Sequence, residues 1–389
     1  MEMQYVIDTL FSLFAMTLII FMVPGFAMLE AGLVRTKNVT AVLTVNVMIY
    51  AIASMAFLLI GYTYAFGGWD HQDSISKWAF FMFQMAFVGK TINIMSGGVS
   101  ERSRIMPLTL FTLVMAACIY PTIVNMIWGA NMFKDTFLDI SSMYDLAGST
   151  VIHSTGGWAL LAAILIMGPR RGRYKNNQIH VIPASNIPLV TLGALLLWIG
   201  WFGFNGGSVG AISSKENADA VALTIMNTNT AGLAGAIVAW VMMYIEYKKF
   251  DITMILNGAL GGLVAITAGP DLYPIYTPIL IGGIGGALVV FAVPFFDRLK
   301  LDDPVGALSV HLVNGIWGTL AVGIFTEKSL LAQAKGILVV GLFVFVVSYI
   351  SIYVINKLVR LRADDEEQLV GLDDSQCGME AYPEFKRSI

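Results

Sequence analysis

Charge is what this sequence has least of. Of its 389 residues 13% are charged, where a soluble globular domain carries about 25%. Hydrophobic residues make up 57%, and the mean hydropathy is +0.74. That balance excludes a soluble domain and describes an all-α polytopic membrane protein. Cysteine is nearly absent too. Cys118 falls in a hydrophobic run and Cys377 in a polar tail. Two residues so placed exclude a disulfide framework and a cysteine-held zinc or iron–sulfur centre. The start, "MEMQYVIDTLFSLF", lacks a basic n-region, and its run is too long for a secretory leader. No nucleophile–base pair or cofactor motif occurs, so neither an enzyme nor a cofactor is expected, and no nucleic-acid partner.

What is present is hydrophobic runs of spanning length. They fall at about 5–33, 40–67, 78–99, 105–128, 148–168, 186–207, 218–246, 252–268, 275–296, 305–325 and 334–358. Eleven runs put the termini on opposite sides. Cytoplasmic connections carry the excess of Lys and Arg. With the N-terminus outside, the inner connections hold fifteen, from Arg35 to Arg362. The outer ones hold five: Lys77, Lys134, Lys215, Lys328 and Lys335. The reading is therefore N-terminus out and C-terminus cytoplasmic, in a cell inner (plasma) membrane. Residues 1–358 form the membrane domain and 359–389 a cytoplasmic tail, which holds Lys386 and Arg387.

One basic residue is left over. Lys90 lies in "FQMAFVGKTINIMSGG" (83–98), 13 residues past Lys77. At about 1.5 Å per residue it is roughly 20 Å along a helix, where a charge costs a few kcal/mol. Its i+3 relation to Phe87 and the backward lean of helical side chains direct it toward the underside of that ring. The alternative is a lysine packed between helices.

Four histidines occur. His71 and His180 fall in connections; His153 and His311 fall in the fifth and tenth runs. Their settings match: "DLAGSTVIHSTGGW" (145–158) and "DPVGALSVHLVNGIW" (303–317) share D-x-x-G-x4-H-x3-G, offset by 158 residues. Each copy ends a block of five helices. Five is odd, so the second block enters inverted: two inverted five-helix repeats plus a final helix, with a polar site where they meet. A single buried His bonded to a carbonyl would need no function. Two at symmetry-related positions can share one proton and bond a small polar molecule. A metal would want more ligands.

Aromatics cluster as well. Phe83 and Phe87 stand at i, i+4, "WIGWFGFNGGS" (198–208) carries Trp201, Phe204 and Ser208, and Trp128 closes the fourth run. Aromatic faces attract cations, and a hydroxyl can accept a bond from one. Ordinary packing explains any one of them equally well. G-x-x-x-G at 258/262 and 282/286 allows close helix packing.

The segments "AMLEAGLVRTKNV", "SERSR", "DLAGSTVIH", "WIGWFGFNGGS", "MNTNTAG", "DDPVGALSVHLVNGIWG" and "GLDDSQCGMEAYPE" resemble the ammonium transporter (Amt/Mep/Rh) family over nearly the whole chain. The resemblance implies a homotrimer of eleven-helix protomers, each with its own pore. It makes Trp128, Phe87 and Ser208 an outer ammonium site, with Asp145 supporting it. It makes Phe87 and Phe204 a stacked phenyl gate, and His153 and His311 the twin pore histidines that bond ammonia. It also implies a regulatory tail that packs under the neighbouring protomer, with a PII-type signalling protein as partner. Lys90 departs from the family pattern. It raises an alternative: an ammonium sensor on the same scaffold that binds the ion without conducting it, fused to a signalling domain beyond Ile389. A gas channel of the Rh kind is disfavoured by Trp128 and Ser208.

Overall fold

A computed structural model describes residues 2–70, 73–176 and 178–385. His71, Lys386 and Arg387 lie outside the described residues. Helices occupy each of the expected positions: α1 (Glu2–Leu33), α2 (Thr36–Phe66), α3 (Lys77–Val99), α4 (Ile105–Ile127), α5 (Ser149–Met167), α6 (Ile187–Gly207), α7 (Lys215–Tyr247), α8 (Ile252–Ile266), α9 (Thr277–Arg298), α10 (Leu308–Phe325) and α11 (Leu330–Leu358). A short antiparallel hairpin, β1 (Tyr174–Lys175) and β2 (Gln178–Ile179), lies between α5 and α6, and a tail helix, α12 (Asp365–Val370), follows α11.

One expectation changes, and one is met only in part. The first run is not one rod: it breaks at Phe21, between Glu2–Ile20 and Met22–Leu33, because Pro24 has no N–H to continue the ladder. Among the described residues nine helices, not eleven, are long and apolar enough to cross a membrane. The exceptions are α8, at 15 residues, and α3. α3 is long enough, but it carries Gln84, Lys90, Thr91, Asn93 and Ser96, all buried. It packs against α1, α2 and α5. A helix enclosed by protein has no need of an apolar surface.

Glycine sets the tightest crossings. A Cβ on Gly262 would sit 2.3 Å from the Ala231 carbonyl oxygen, and one on Gly286 2.2 Å from that of Gly235. Both spacing motifs therefore serve to press α8 and α9 onto α7, as small residues do between membrane helices.

The arginine-rich side is tied by buried ion pairs. Glu101 takes the Arg35 backbone N–H at 2.6 Å and the guanidinium groups of Arg35 and Arg170 at 2.9 and 3.0 Å. Asp302 takes Arg170 through Nε and Nη2, each at 2.9 Å. Arg102 donates to the backbone oxygens of Gly98, Gly168 and Asp302. The tail docks onto these same connections of its own chain. Lys37 donates to the carbonyls of Gln368 and Leu369, Asp373 accepts the Ala41 N–H at 2.8 Å, and Arg104 pairs with Glu367 at 2.6 Å.

Burial alone would raise the Glu101 and Asp302 carboxyls, but the arginines outweigh it and hold both below the ordinary values of 4.5 and 3.8. A depressed carboxyl stabilises the fold fully above its ordinary value, and that stabilisation is lost as pH falls toward the folded value. Thermal unfolding in detergent should therefore weaken below about pH 4.5. Asp302→Asn, which leaves Arg170 half-paired, should cost about 3–5 kcal/mol at neutral pH and flatten that acid slope.

Candidate functional site

The two D-x-x-G-x4-H-x3-G copies build the same local structure. The Asp145 carboxylate accepts the N–H groups of Gly148, Ser149, Thr150 and Val151 at 2.8–3.0 Å. The Asp303 carboxylate accepts those of Val305, Gly306 and Leu308. Each caps the free amides at the start of its helix. Gly148 and Gly306 take φ of 107° and 78°, which an L side chain rarely adopts. Each histidine then sits in a π-helical stretch, Ser149–Ser154 or Leu308–Val313, the kind of irregular turn that gathers at functional sites.

The last glycine of the motif brings the copies together. A Cβ on Gly157 would lie 2.6 Å from Leu312 Cβ, the residue after His311. A Cβ on Gly315 would lie 2.8 Å from the Ser154 nitrogen, the residue after His153. The crossing is reciprocal, and at its centre His153 Nδ1 and His311 Nδ1 are 3.1 Å apart with the rings tilted by only 14°. Both imidazoles are buried. At that distance one Nδ1 carries a hydrogen and the other accepts it.

A column of rings leads to this pair. Trp128 stands 6.2 Å from Phe87, Phe87 4.7 Å from Phe204, and Phe204 5.5 Å from His153. Trp201 stacks on His153 at 5.2 Å and is held by an indole N–H bond to Thr267. Phe26 lies beyond His311 at 6.3 Å. The Phe87–Phe204 pair corrects one expectation: it meets at 77°, edge to face, not stacked. That is the arrangement the ring quadrupoles favour. Both rings are buried, so they separate the histidines from the cavity above.

That cavity has a volume of about 400 Å³ and is lined by Gln84, Phe87, Trp128, Tyr144, Asp145 and Ser208 among others. The Trp128 indole donates to the Asp145 backbone oxygen at 2.7 Å, which fixes the ring over the opening. Ser208 Oγ donates to the Phe204 carbonyl, leaving its lone pairs free for a donor in the cavity. The expected outer-site residues are thus together on one cavity, beside a carboxylate already committed to backbone amides. On the arginine-rich side a second cavity of about 220 Å³ is lined by Arg170, Asn257, Asp303 and Ser309.

The sequence matches a known family. The family model described as Ammonium Transporter Family matches residues 10–382. The chain belongs to that family. It is 36% identical to a putative ammonium transporter of Synechocystis, covering 97% of this chain and 89% of that one. It is 32% identical to an ammonium transporter of Bacillus subtilis, covering 96% and 98%. Among solved structures it resembles one named Sensor Amt Protein, with TM-score 0.91, 32% identity, and coverage of 97% of this chain and 100% of that one. It also resembles Saccharomyces cerevisiae Mep2, with TM-score 0.84, 26% identity, and coverage of 94% and 90%.

Lys90 does not follow its expected direction. It is buried, its Nζ has no hydrogen-bond partner, and the ammonium lies 5.7 Å from the Tyr50 ring centroid on α2. It does not appear among the described residues lining the outer cavity. The electron-rich Tyr50 face lies beside α3 at this level and attracts the cation, so the side chain leaves the Phe87 face. Sequence reasoning also passed over Glu30, which the structure buries in a hydrogen-bonded cluster on α1. An acidic residue inside a long apolar run was the available signal.

The reciprocal glycine crossing is testable. Gly315→Ala should cost about 1–3 kcal/mol of unfolding stability through overpacking. Gly89→Ala, whose Cβ would meet Tyr50 at an ordinary 3.8 Å, should be close to neutral in the same melts.

Proposed function

We propose that the chain moves ammonium across a membrane by taking the proton off the ion and passing ammonia between His153 and His311. The observation that carries this reading is the 3.1 Å Nδ1–Nδ1 contact at the end of an unbroken ring column from the outer cavity. Ammonium and potassium are alike in charge and size, so attraction alone cannot separate them. Trp128, Phe87 and the Ser208 hydroxyl gather the cation by π faces and one hydrogen bond. The buried Phe87–Phe204 pair then makes a bare charge costly. Ammonium can shed a proton and cross as neutral ammonia; potassium cannot. Asp145 acts by holding the start of α5 and, through Trp128, the cavity wall.

Eleven crossings as two inverted five-helix repeats plus a final helix, a homotrimer, and an outside N-terminus belong to this proposal. They rest on the family likeness, the basic inner connections and the matched histidine motifs. The docked tail is the natural face for a PII-type partner.

A second reading is a sensor that binds ammonium outside without conducting it. Lys90 bears on it only as a buried charge on α3: its ammonium has no hydrogen-bond partner and turns to Tyr50, away from the Phe87 face, so it acts on a second cation through space and does not plug the ring column. The likeness to the structure named Sensor Amt Protein adds support.

Currents in a solid-supported membrane decide between the two. Transport requires an ammonium-evoked current that His153→Ala abolishes or converts to unselective leak. The sensor reading requires negligible wild-type current and an appreciable one in Lys90→Thr. In calorimetry, Ser208→Ala should weaken ammonium binding by roughly 1.5–3 kcal/mol under either reading. Unchanged binding there would move the outer site elsewhere.

A further inference from the structure

Glu30 is a carboxylate with no assigned task. It is 1% exposed, deep in the chain, and its two oxygens accept bonds from neutral donors: Ser96 Oγ and Asn46 Nδ2, each at 3.0 Å. Asn46 accepts in turn from Asn93 at 2.7 Å. No cation faces it at ion-pair distance among the described residues. Burying a carboxyl this way is costly, so packing alone does not explain it.

Its position is specific. Two small cavities, each of about 20 Å³, meet at Glu30. That is room for one water-sized molecule. The upper is lined by Glu30, Phe26, Asn93, Asn257 and His311. The lower is lined by Glu30, Ser96, Ser100, Glu101, Ser103 and Leu372. Gly97 keeps the carboxyl in place between them: a Cβ there would sit 3.3 Å from Glu30 Cδ and 2.9 Å from Val305 Cγ2. The lower cavity is walled by α2, α3 and α4 and capped by the tail. It is separate from the 220 Å³ cavity on the arginine-rich side, whose lining includes neither Glu30 nor Leu372.

We infer that Glu30 relays the proton taken from ammonium, and that the proton leaves beneath the tail while ammonia leaves through the wider cavity. The inference rests on the transport reading above. The steps balance. Ammonium gives a proton to the imidazole pair; the N–H electron pair stays on nitrogen, leaving ammonia and one imidazolium. A water in the upper cavity accepts a proton from that imidazolium and gives one to the Glu30 carboxylate. The products are a neutral imidazole and a carboxylic acid. A water in the lower cavity then takes the proton from the acid and passes it toward Ser100 and Ser103, and the carboxylate is restored. One charge moves inward per ammonia. The ionisable groups facing this route are His311 above, Glu101 below, held in its pairs with Arg35 and Arg170, and Lys90 farther along α3.

The test uses the full-length protein in liposomes, with ammonium chloride as the probe. Three readouts are taken: evoked current, neutral ammonia flux by an internal pH dye, and the infrared carbonyl stretch of a protonated carboxylic acid. Glu30→Gln keeps the shape but cannot take up and release a proton. It should cut the current about 100-fold or more, the scale of a lost acid–base group, remove the carbonyl signal evoked by ammonium, and leave outer-site binding intact. Glu30→Asp should restore most of the current. Unchanged current in Glu30→Gln overturns the relay and leaves transport standing. Equal loss in Glu30→Gln and Glu30→Asp overturns it in favour of a packing role. Wild-type protein with neither current nor flux overturns the transport reading itself, and this inference with it.

Discussion

Two imidazole nitrogens held 3.1 Å apart, out of reach of water, are the constraint around which this molecule is arranged. If both Nδ1 atoms carried hydrogen they would clash and repel. If neither did, two lone pairs would face each other in a site with no solvent to satisfy them. The pair therefore holds one hydrogen between two rings, and the near-symmetry of the frame is broken by a single proton. The other motif positions serve that contact. The aspartates satisfy amides at the start of each histidine helix, the positive-φ glycines let the chain enter, and Gly157 and Gly315 bring the helices to backbone contact.

Around that contact, charge is managed by separation. The cavity above the rings presents π faces and the Ser208 hydroxyl, groups that attract a charge without supplying a counter-charge that would trap it. The ionisable groups inside, Lys90 and Glu30, are kept from each other: one rests on Tyr50, the other on Asn46 and Ser96. Had they formed an ion pair, both charges would be fixed. Left apart, each keeps its own neutral partners. This accords with α3 being too polar to qualify as a spanning helix by composition: it carries Gln84, Asn93 and Ser96, which line cavities, and its neighbours enclose it.

The sequence made much of this legible, and the divide follows physics. The four-position histidine motif could be read because each position answers a local requirement: a cap, a positive φ, an imidazole, a close crossing. Helical spacing places Phe83 and Phe87 on one face, but the outer site of Trp128, Phe87 and Ser208 is implied only by the family resemblance, because its members come from three separate helices. Lys90 could be found but not aimed, since its direction depends on Tyr50, a residue on another helix, and not on its own periodicity. The angle of Phe87 to Phe204 was equally beyond reach, because it is fixed by packing between α3 and α6. Glu30 was legible by the same signal as Lys90, an ionisable residue in an apolar run. It stood inside "AMLEAGLVRTKNV", where the family likeness drew attention away from it.

The tail bears on the same three helices that hold Glu30. Arg35 and Lys37 follow it by five and seven residues, just past the end of α1; Arg35 is fixed to Glu101 and Lys37 to the tail carbonyls. Ala41, bound by Asp373, precedes Asn46 by five residues on α2. Glu101 follows Ser96 by five just past the end of α3. Every donor to the Glu30 carboxylate thus lies one to two turns from a residue clamped by the tail or by the buried arginines. Releasing the tail would remove Leu372 from the lower cavity and Asp373 from α2 in a single motion. Whether the protein conducts or senses, a change at its tail-bearing surface and a change at its buried carboxyl act on the same helix ends, so neither can shift without straining the other.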